Sequence, residues 1–264
     1  DGESSNGVID GIEFLRAIKN KQNLLLGATI GVIGAGDVAM DCARVANRLT
    51  GGKVSIIYRR SIEQMPAHKE ELDGLIEEGI SINELAAPKA VISENRRISA
   101  LRCTKMRLGK SDASGRKRPI EIPNTDFCIP LDNLIIAIGQ QPDFSFLDDL
   151  PVKLNKKGYI DVSDNTLETS VKGVYAGGDA IQSGPLTIVK ACGDGKIIAD
   201  SIRRADESVS VQKIGFPEIN ETDTVELLKK RAHRKFRVPI LHLPVEKRDD
   251  FDEIIQTLDE KAAK

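Results

Sequence analysis

The stretch TIGVIGAGDVAMDCARVANRLT, residues 29–50, constrains the fold more than any other part of the chain. Thr29 to Ile33 form an apolar, β-branched run, the composition of a strand buried in a parallel sheet. Gly34 and Gly36 interrupt it. A helical pattern then runs from Asp37 to about Leu49, and Gly51 and Gly52 end it. KVSIIYRR at 53–60 is a second strand. A loop with Pro66 leads into a further helix that ends near Glu78, before Gly79. Strand, helix, strand, helix in this order implies a parallel sheet with right-handed crossovers. Upstream, residues 8–20 carry helical spacing and read as a short amphipathic helix.

The middle of the chain changes period. Residues 81–130 contain short alternating runs broken by Pro88 and by Glu94-Asn95, and read as antiparallel strands and hairpins. The basic run Arg116-Lys117-Arg118 falls at a hairpin loop and reads as a solvated tip. NLIIAIGQQPD returns to a buried strand and a glycine turn. GVYAGGDA at 173–180 is a strand end with a second glycine turn, and a long helix follows it. After residue 207 the composition becomes polar, with helical patterns near 222–233 and 250–263. The fold class that results is α/β: a Rossmann-like, three-layer nucleotide-binding domain with a β-meander.

Gly34-x-Gly36-x-x-Ala39, between a buried strand and a helix, has the form of a phosphate-binding turn. Gly34 makes the tight turn, Gly36 lets the backbone approach a pyrophosphate, and Ala39 lets helix and strand pack closely. Ala35, Asp37 and Val38 complete the turn, where the helix N-terminus offers amides and a positive dipole end. At the end of the second strand, where an acid would favour NAD, stand Tyr58, Arg59 and Arg60. A guanidinium there suits the adenosine 2′-phosphate, so the expected cofactor is NADP(H). In the second glycine turn, Gly178 and Asp179 are placed to hold a polyol hydroxyl.

Other classes of function are disfavoured. A net charge of −2 argues against a nucleic-acid or membrane surface, and no apolar run is long enough to span a bilayer. Cys42, Cys103, Cys128 and Cys192 form no CxxC pair, so neither a metal site nor a dithiol redox centre is expected, and a reducing, cytoplasmic setting is. Of the three histidines, His68 is read as surface or adenosine-facing, and His233 and His242 lie in the tail.

These motifs resemble, in order, those of the glutamate synthase small-subunit-like family of NADPH-dependent flavoprotein reductases. IYRRSIEQMPAHKEEL resembles its NADPH adenosine-phosphate segment, AIGQQPD its crossover between nucleotide and flavin domains, and VYAGGDAIQSGPLTIVKACGDGKIIADSI its second flavin motif. RVPILHLPVEKRDDFDE resembles the region after it. The resemblance implies four parts: 1–23, a flavin-domain or linker remnant; 24–138, an NADP(H)-binding domain; 139–207, the C-terminal part of an FAD-binding domain; 208–264, an appended tail with two short helices. It implies that Gly139 and Gln140 lie where NADPH and FAD meet, that Asp179 binds the ribityl chain, and that Leu186 and Thr187 face the flavin ring.

The family's earlier ADP-binding glycine motif and its iron–sulfur cysteines are not among these residues. The resemblance therefore implies a fragment, inactive and poor at holding FAD by itself. A further N-terminal segment, iron–sulfur clusters outside the chain and a large or electron-accepting subunit would complete it. Three readings stay open at this point. One is an NADPH-dependent reductase subunit, with glutamate synthase, ferredoxin-NADP transhydrogenase or a selenate-reductase-type partner as the acceptor. The others are a nucleotide-binding module without turnover and an NAD-linked dehydrogenase.

Overall fold

The computed structural model describes residues 2–111, 115–139, 142–182, 187–206, 221–231 and 238–260. The chain divides into two compact units, Asp1–Gly139 with Arg237–Lys264, and Gln140–Phe236.

The strands of the first unit are, in chain order, β1 (Val8–Asp10), β2 (Thr29–Ile33), β3 (Lys53–Ile57), β4 (Ser81–Asn83), β5 (Ala86–Glu94), β6 (Arg97–Ser111), β7 (Lys117–Pro130) and β8 (Asn133–Ile136). Its helices are α1 (Gly11–Lys19), α2 (Asp37–Thr50) and α3 (Lys69–Glu77). Five strands pair in parallel in the order β1-β8-β2-β3-β4, and β5-β6-β7 form an antiparallel sheet.

The alternation of side chains along each strand sorts the apolar residues into two cores. Ile30, Val32, Ile56 and Ile135 pack with Phe14, Met40, Ala43, Ala46 and Leu75 of the helices. Ile57 and Leu134 pack instead with Ala86, Ile98, Leu101, Cys103 and Leu131 on the side of the antiparallel sheet. Helices, parallel sheet and antiparallel sheet thus form three layers. Full burial of one such aliphatic side chain stabilises by about 1.5–3 kcal/mol. β2 and β8 are adjacent and buried on both faces, which explains their unbroken apolar sequences.

Two local expectations are corrected. Val8–Asp10 is not the first turn of a helix. Its β-branched pair extends the sheet edge beside β8, and Asp10 then caps α1, its Oδ1 accepting from the amides of Ile12 and Glu13 at 2.9 and 3.1 Å. The N-terminal residues 2–23 accordingly lie inside the first unit, with Phe14 fully buried in its core. The helix expected at 250–263 is also absent through residue 259, where a bridge joins His242 to Ile255. Asp249, Asp252 and Glu253 would stack like charges at three- and four-residue spacing on such a helix. Residues 261–263 lie outside the described part.

The second unit holds α4 (Ile188–Ala205) and α5 (Glu221–Arg231). Isolated bridges Leu154–Ile160, Val162–Thr169 and Glu168–Tyr175 take the place of the two expected strands. They gather a small core of Ile160, Leu167 and Ile181, with Ala176 and Ile198 against it.

Candidate dinucleotide-binding site

The glycine turn sits at the C-terminal end of β2, in the crevice beside β8. Gly34 has φ +143°, and a Cβ there would lie 2.3 Å from the Ala137 carbonyl oxygen. Its amide donates to the Ile57 carbonyl at 3.3 Å, so three neighbouring strand ends meet at one residue. Gly36 differs: its φ is −91° and a Cβ there would meet nothing within 4 Å. Gly36 is also the N-cap of α2, and no side chain caps that helix. Backbone amides at an uncapped N-terminus, with clear space over Gly36, form a cradle for an anion. Ala39 is fully buried directly beneath Gly34. Ala35 is buried, while Asp37 and Val38 are exposed at the mouth.

The loop at 61–68 is latched to this turn. The Ala67 amide donates to the Ala35 carbonyl at 3.1 Å, and the His68 amide to Asp37 Oδ1 at 3.0 Å. His68 Nδ1 lies 3.1 Å from Asp37 Oδ2, with the imidazole largely in solvent. One turn along α2, burial and then the neighbouring Glu71 raise the Asp41 carboxyl above its ordinary range.

The residues at the end of β3 separate. Tyr58 is buried, and its hydroxyl donates to the Gln64 carbonyl at 2.9 Å. Arg59 is exposed. Arg60 is 6% exposed, and its Nε donates to the Lys117 carbonyl at 2.9 Å. The two neighbours expected to share one task therefore occupy different environments, one exposed and one buried, at the bend that follows β3. Gly139 is exposed with φ +103°. Gln140 lies outside the described residues, as does Leu186.

In the second unit, Gly178 has φ +65° and Asp179 is exposed beside it. Asp194, 2% exposed, holds the turn: its Oδ2 accepts the Gly178 amide at 2.9 Å, and its Oδ1 pairs with Lys190. The Lys190 contact, then the Gly178 amide, hold the Asp194 carboxyl below its usual range. Thr187 caps α4, its Oγ1 accepting from the Lys190 amide at 3.3 Å.

Gln64, Ala67 and Asp194 carry no signal of this kind in the sequence, and Lys117 reads there only as part of a solvated hairpin tip. Ala67 meets the turn through its backbone, and Gln64 meets Tyr58 and Lys117 through backbone or amide contacts, which leave no residue-type signature. A charged residue within an amphipathic helix is the one available sign for Asp194.

The cysteines offer no redox pair. Cys42 and Cys103 are buried, and burial pushes their thiols up to about 12 and about 11. Among the described residues no cluster of His, Cys, Asp or Glu could hold a metal ion, and no helix is long and apolar enough to cross a membrane.

A parallel sheet with a glycine turn and an uncapped helix at its strand-order switch defines a Rossmann-type nucleotide-binding fold. The family model described as pyridine nucleotide-disulphide oxidoreductase matches residues 3–195, and the chain belongs to that family. It is 42% identical over 203 residues to the NADP(+)-dependent formate dehydrogenase subunit beta of Moorella thermoacetica, covering 76% of this chain and 28% of that protein. It is 32% identical over 182 residues to the glutamate synthase (NADPH) small chain of Halomonas elongata, covering 67% of this chain and 38% of that one. Among solved structures, thioredoxin reductase of T. acidophilum superposes with a TM-score of 0.51 at 25% identity, over 67% of this chain and 52% of that one. The chain thus spans well under half the length of these two curated relatives.

Proposed function

We propose that this chain forms the NADPH-binding part, and a portion of the flavin-binding part, of an NADPH-dependent flavoprotein reductase subunit. One observation carries the reading: an uncapped helix N-terminus with clear space over Gly36, and an exposed Arg59 at the end of the adjacent strand. The first suits a pyrophosphate and the second an adenosine 2′-phosphate.

When bound, NADPH and FAD supply the hydride donor and acceptor. The chain's own residues bind and orient. The amides of Gly36, Asp37 and Val38 receive the pyrophosphate. Asp179 accepts a hydroxyl hydrogen bond from the ribityl chain, and Asp194 keeps the Gly178–Asp179 backbone in place. The α4 N-terminus at Thr187 offers a positive dipole end to an electron-rich ring edge. Hydride transfer requires no general acid or base, so no catalytic side chain is assigned.

A segment or subunit outside these residues would hold iron–sulfur centres that accept the electrons, as in a glutamate synthase small-subunit-like enzyme. The relatives named as beta subunit and small chain support a partner subunit of this kind. Calorimetric titration of NADPH and NADH into the chain tests the cofactor. Equal affinities would remove the reading. A visible spectrum recorded with added FAD tests the flavin half.

A further inference from the structure

The β6–β7 hairpin is long, and the first residue of β7 comes to the end of β3. Lys117, 57 residues from Arg60 in sequence, is gripped through its backbone on both sides. Arg60 Nε donates to its carbonyl at 2.9 Å, and its amide donates to Gln64 Oε1 at 2.7 Å. Gln64 is held in turn, because its own carbonyl accepts from the Tyr58 hydroxyl. The anchors are thus two residues of the β3 end and one of the loop latched to the glycine turn.

This backbone grip leaves the Lys117 side chain exposed. A buried arginine, costly to desolvate, is a substantial device for fixing a hairpin tip that would otherwise be solvated. What it fixes is a cation. Glu63, in the same loop, has its carboxyl below its usual range chiefly through Ser61 and its own backbone amide, with Lys117 the least of the causes. Arg59 stands exposed on the strand end next to Arg60.

We propose that Lys117, its backbone held by Arg60 and Gln64, is a second cation of the adenosine 2′-phosphate site beside Arg59. This rests on the NADPH reading above. It assigns the inserted antiparallel sheet a part in choosing the nucleotide: Arg59 comes from the parallel sheet and Lys117 from the meander. It also gives Arg60 its task, which is to position the hairpin. Lysine suits the place as a compact point charge on a flexible stem, reaching a phosphate from one side.

The test uses the whole chain and two probes of the adenosine half, 2′,5′-ADP and 5′-AMP, with calorimetric affinities at low salt. Lys117→Ala should weaken 2′,5′-ADP about three- to tenfold, the range of a solvent-exposed charge contact to a phosphate, and leave 5′-AMP unchanged. Lys117→Arg should restore most of the loss. The side chain is exposed and only its backbone is gripped, so neither variant should change the melting temperature. If Arg59→Ala weakens 2′,5′-ADP while Lys117→Ala does not, the inference is overturned and the NADPH reading stands. If wild type binds both probes equally, both fail.

Discussion

Gly34 and Ala137 lie so close that a methyl group on the first would sit 2.3 Å from the carbonyl oxygen of the second. That distance explains why β2 can turn into α2 directly beside β8, and only a residue without a Cβ allows it. Gly36, two residues on, is under no such constraint. The two glycines of one motif are under different constraints, close packing at the first and open space at the second.

Substitution should separate them. Gly34→Ala adds a steric clash to a backbone angle of +143° that L-residues avoid, and should cost at least about 2 kcal/mol of stability. Gly36→Ala should leave stability within about 0.5 kcal/mol, a small change at an N-cap glycine. It should nonetheless cut NADPH affinity severely, because the new methyl projects over the cradle. Urea unfolding and nucleotide titration on both variants give the contrast. A Gly36→Ala protein that binds as wild type does would mean that the nucleotide does not pass over this residue.

A pH dependence should arise at the opposite end of β2. Asp132 Oδ2 accepts from the Thr29 amide at 2.8 Å and its hydroxyl at 2.7 Å, and these bonds hold its carboxyl below the usual value. A depressed folded-state pKa contributes stability above the unfolded value near 4, and that contribution is lost as pH falls through the folded value. Asp132→Asn should therefore be less stable than wild type at pH 7, by about 1 kcal/mol. The gap should narrow below pH 4. Thermal melts of both proteins between pH 3 and pH 7 would reveal it, and a constant gap would count against Asp132 as the titrating group.

Glu78 is a buried carboxylate shared by two arginines. Its Oε1 receives Arg44 at 2.8 Å and Arg48 at 2.9 Å, its side chain is 3% exposed, and Oε2 has no partner among the described residues. Arg48 also donates to the Arg248 carbonyl at 3.2 Å, and Arg248 pairs with Glu77 at 2.9 Å, so this cluster fastens residues near 248 to α2 and α3. Removing one partner of a buried pair leaves the other uncompensated. Glu78→Ala should cost about 3 kcal/mol and expose the segment around Arg248 to protease. Limited proteolysis followed by mass mapping checks the second effect, and unchanged cleavage near 248 would mean that the segment is held by other contacts.

The parallel core was legible because its signals are local. Apolar runs, glycine breaks and helical spacing sit within twenty residues of one another, and the change to short alternating runs after residue 80 marks the antiparallel layer. Val8–Asp10 was misread because three β-branched or capping residues beside a helix share its periodicity, and only the distant β8 makes them a strand. The helix expected at 250–263 had the spacing but too little apolar surface and too many adjacent acids. At the site, residue types announced the glycine turn and the arginines. The burial of Arg60 was not legible, since it depends on Lys117, which reaches it through the full length of a hairpin.

The two arginines should therefore behave differently. Arg59 is exposed, so Arg59→Ala should leave the melting temperature unchanged and weaken NADPH roughly tenfold or more, with NADH little affected. One hydrogen bond to a charged group contributes about 1.5–3 kcal/mol, and each 1.4 kcal/mol is about a factor of ten. Arg60→Ala removes a buried donor from the Lys117 carbonyl and should destabilise by about 1–3 kcal/mol, besides loosening the hairpin tip. Its effect on NADPH should be smaller than that of Arg59→Ala and should diminish in a Lys117→Ala background, because both changes then act through one side chain. Melting curves and calorimetry on the two single variants and on the Arg60–Lys117 double variant measure this. Full additivity in the double variant would mean that Arg60 meets the nucleotide directly and does not act by placing Lys117.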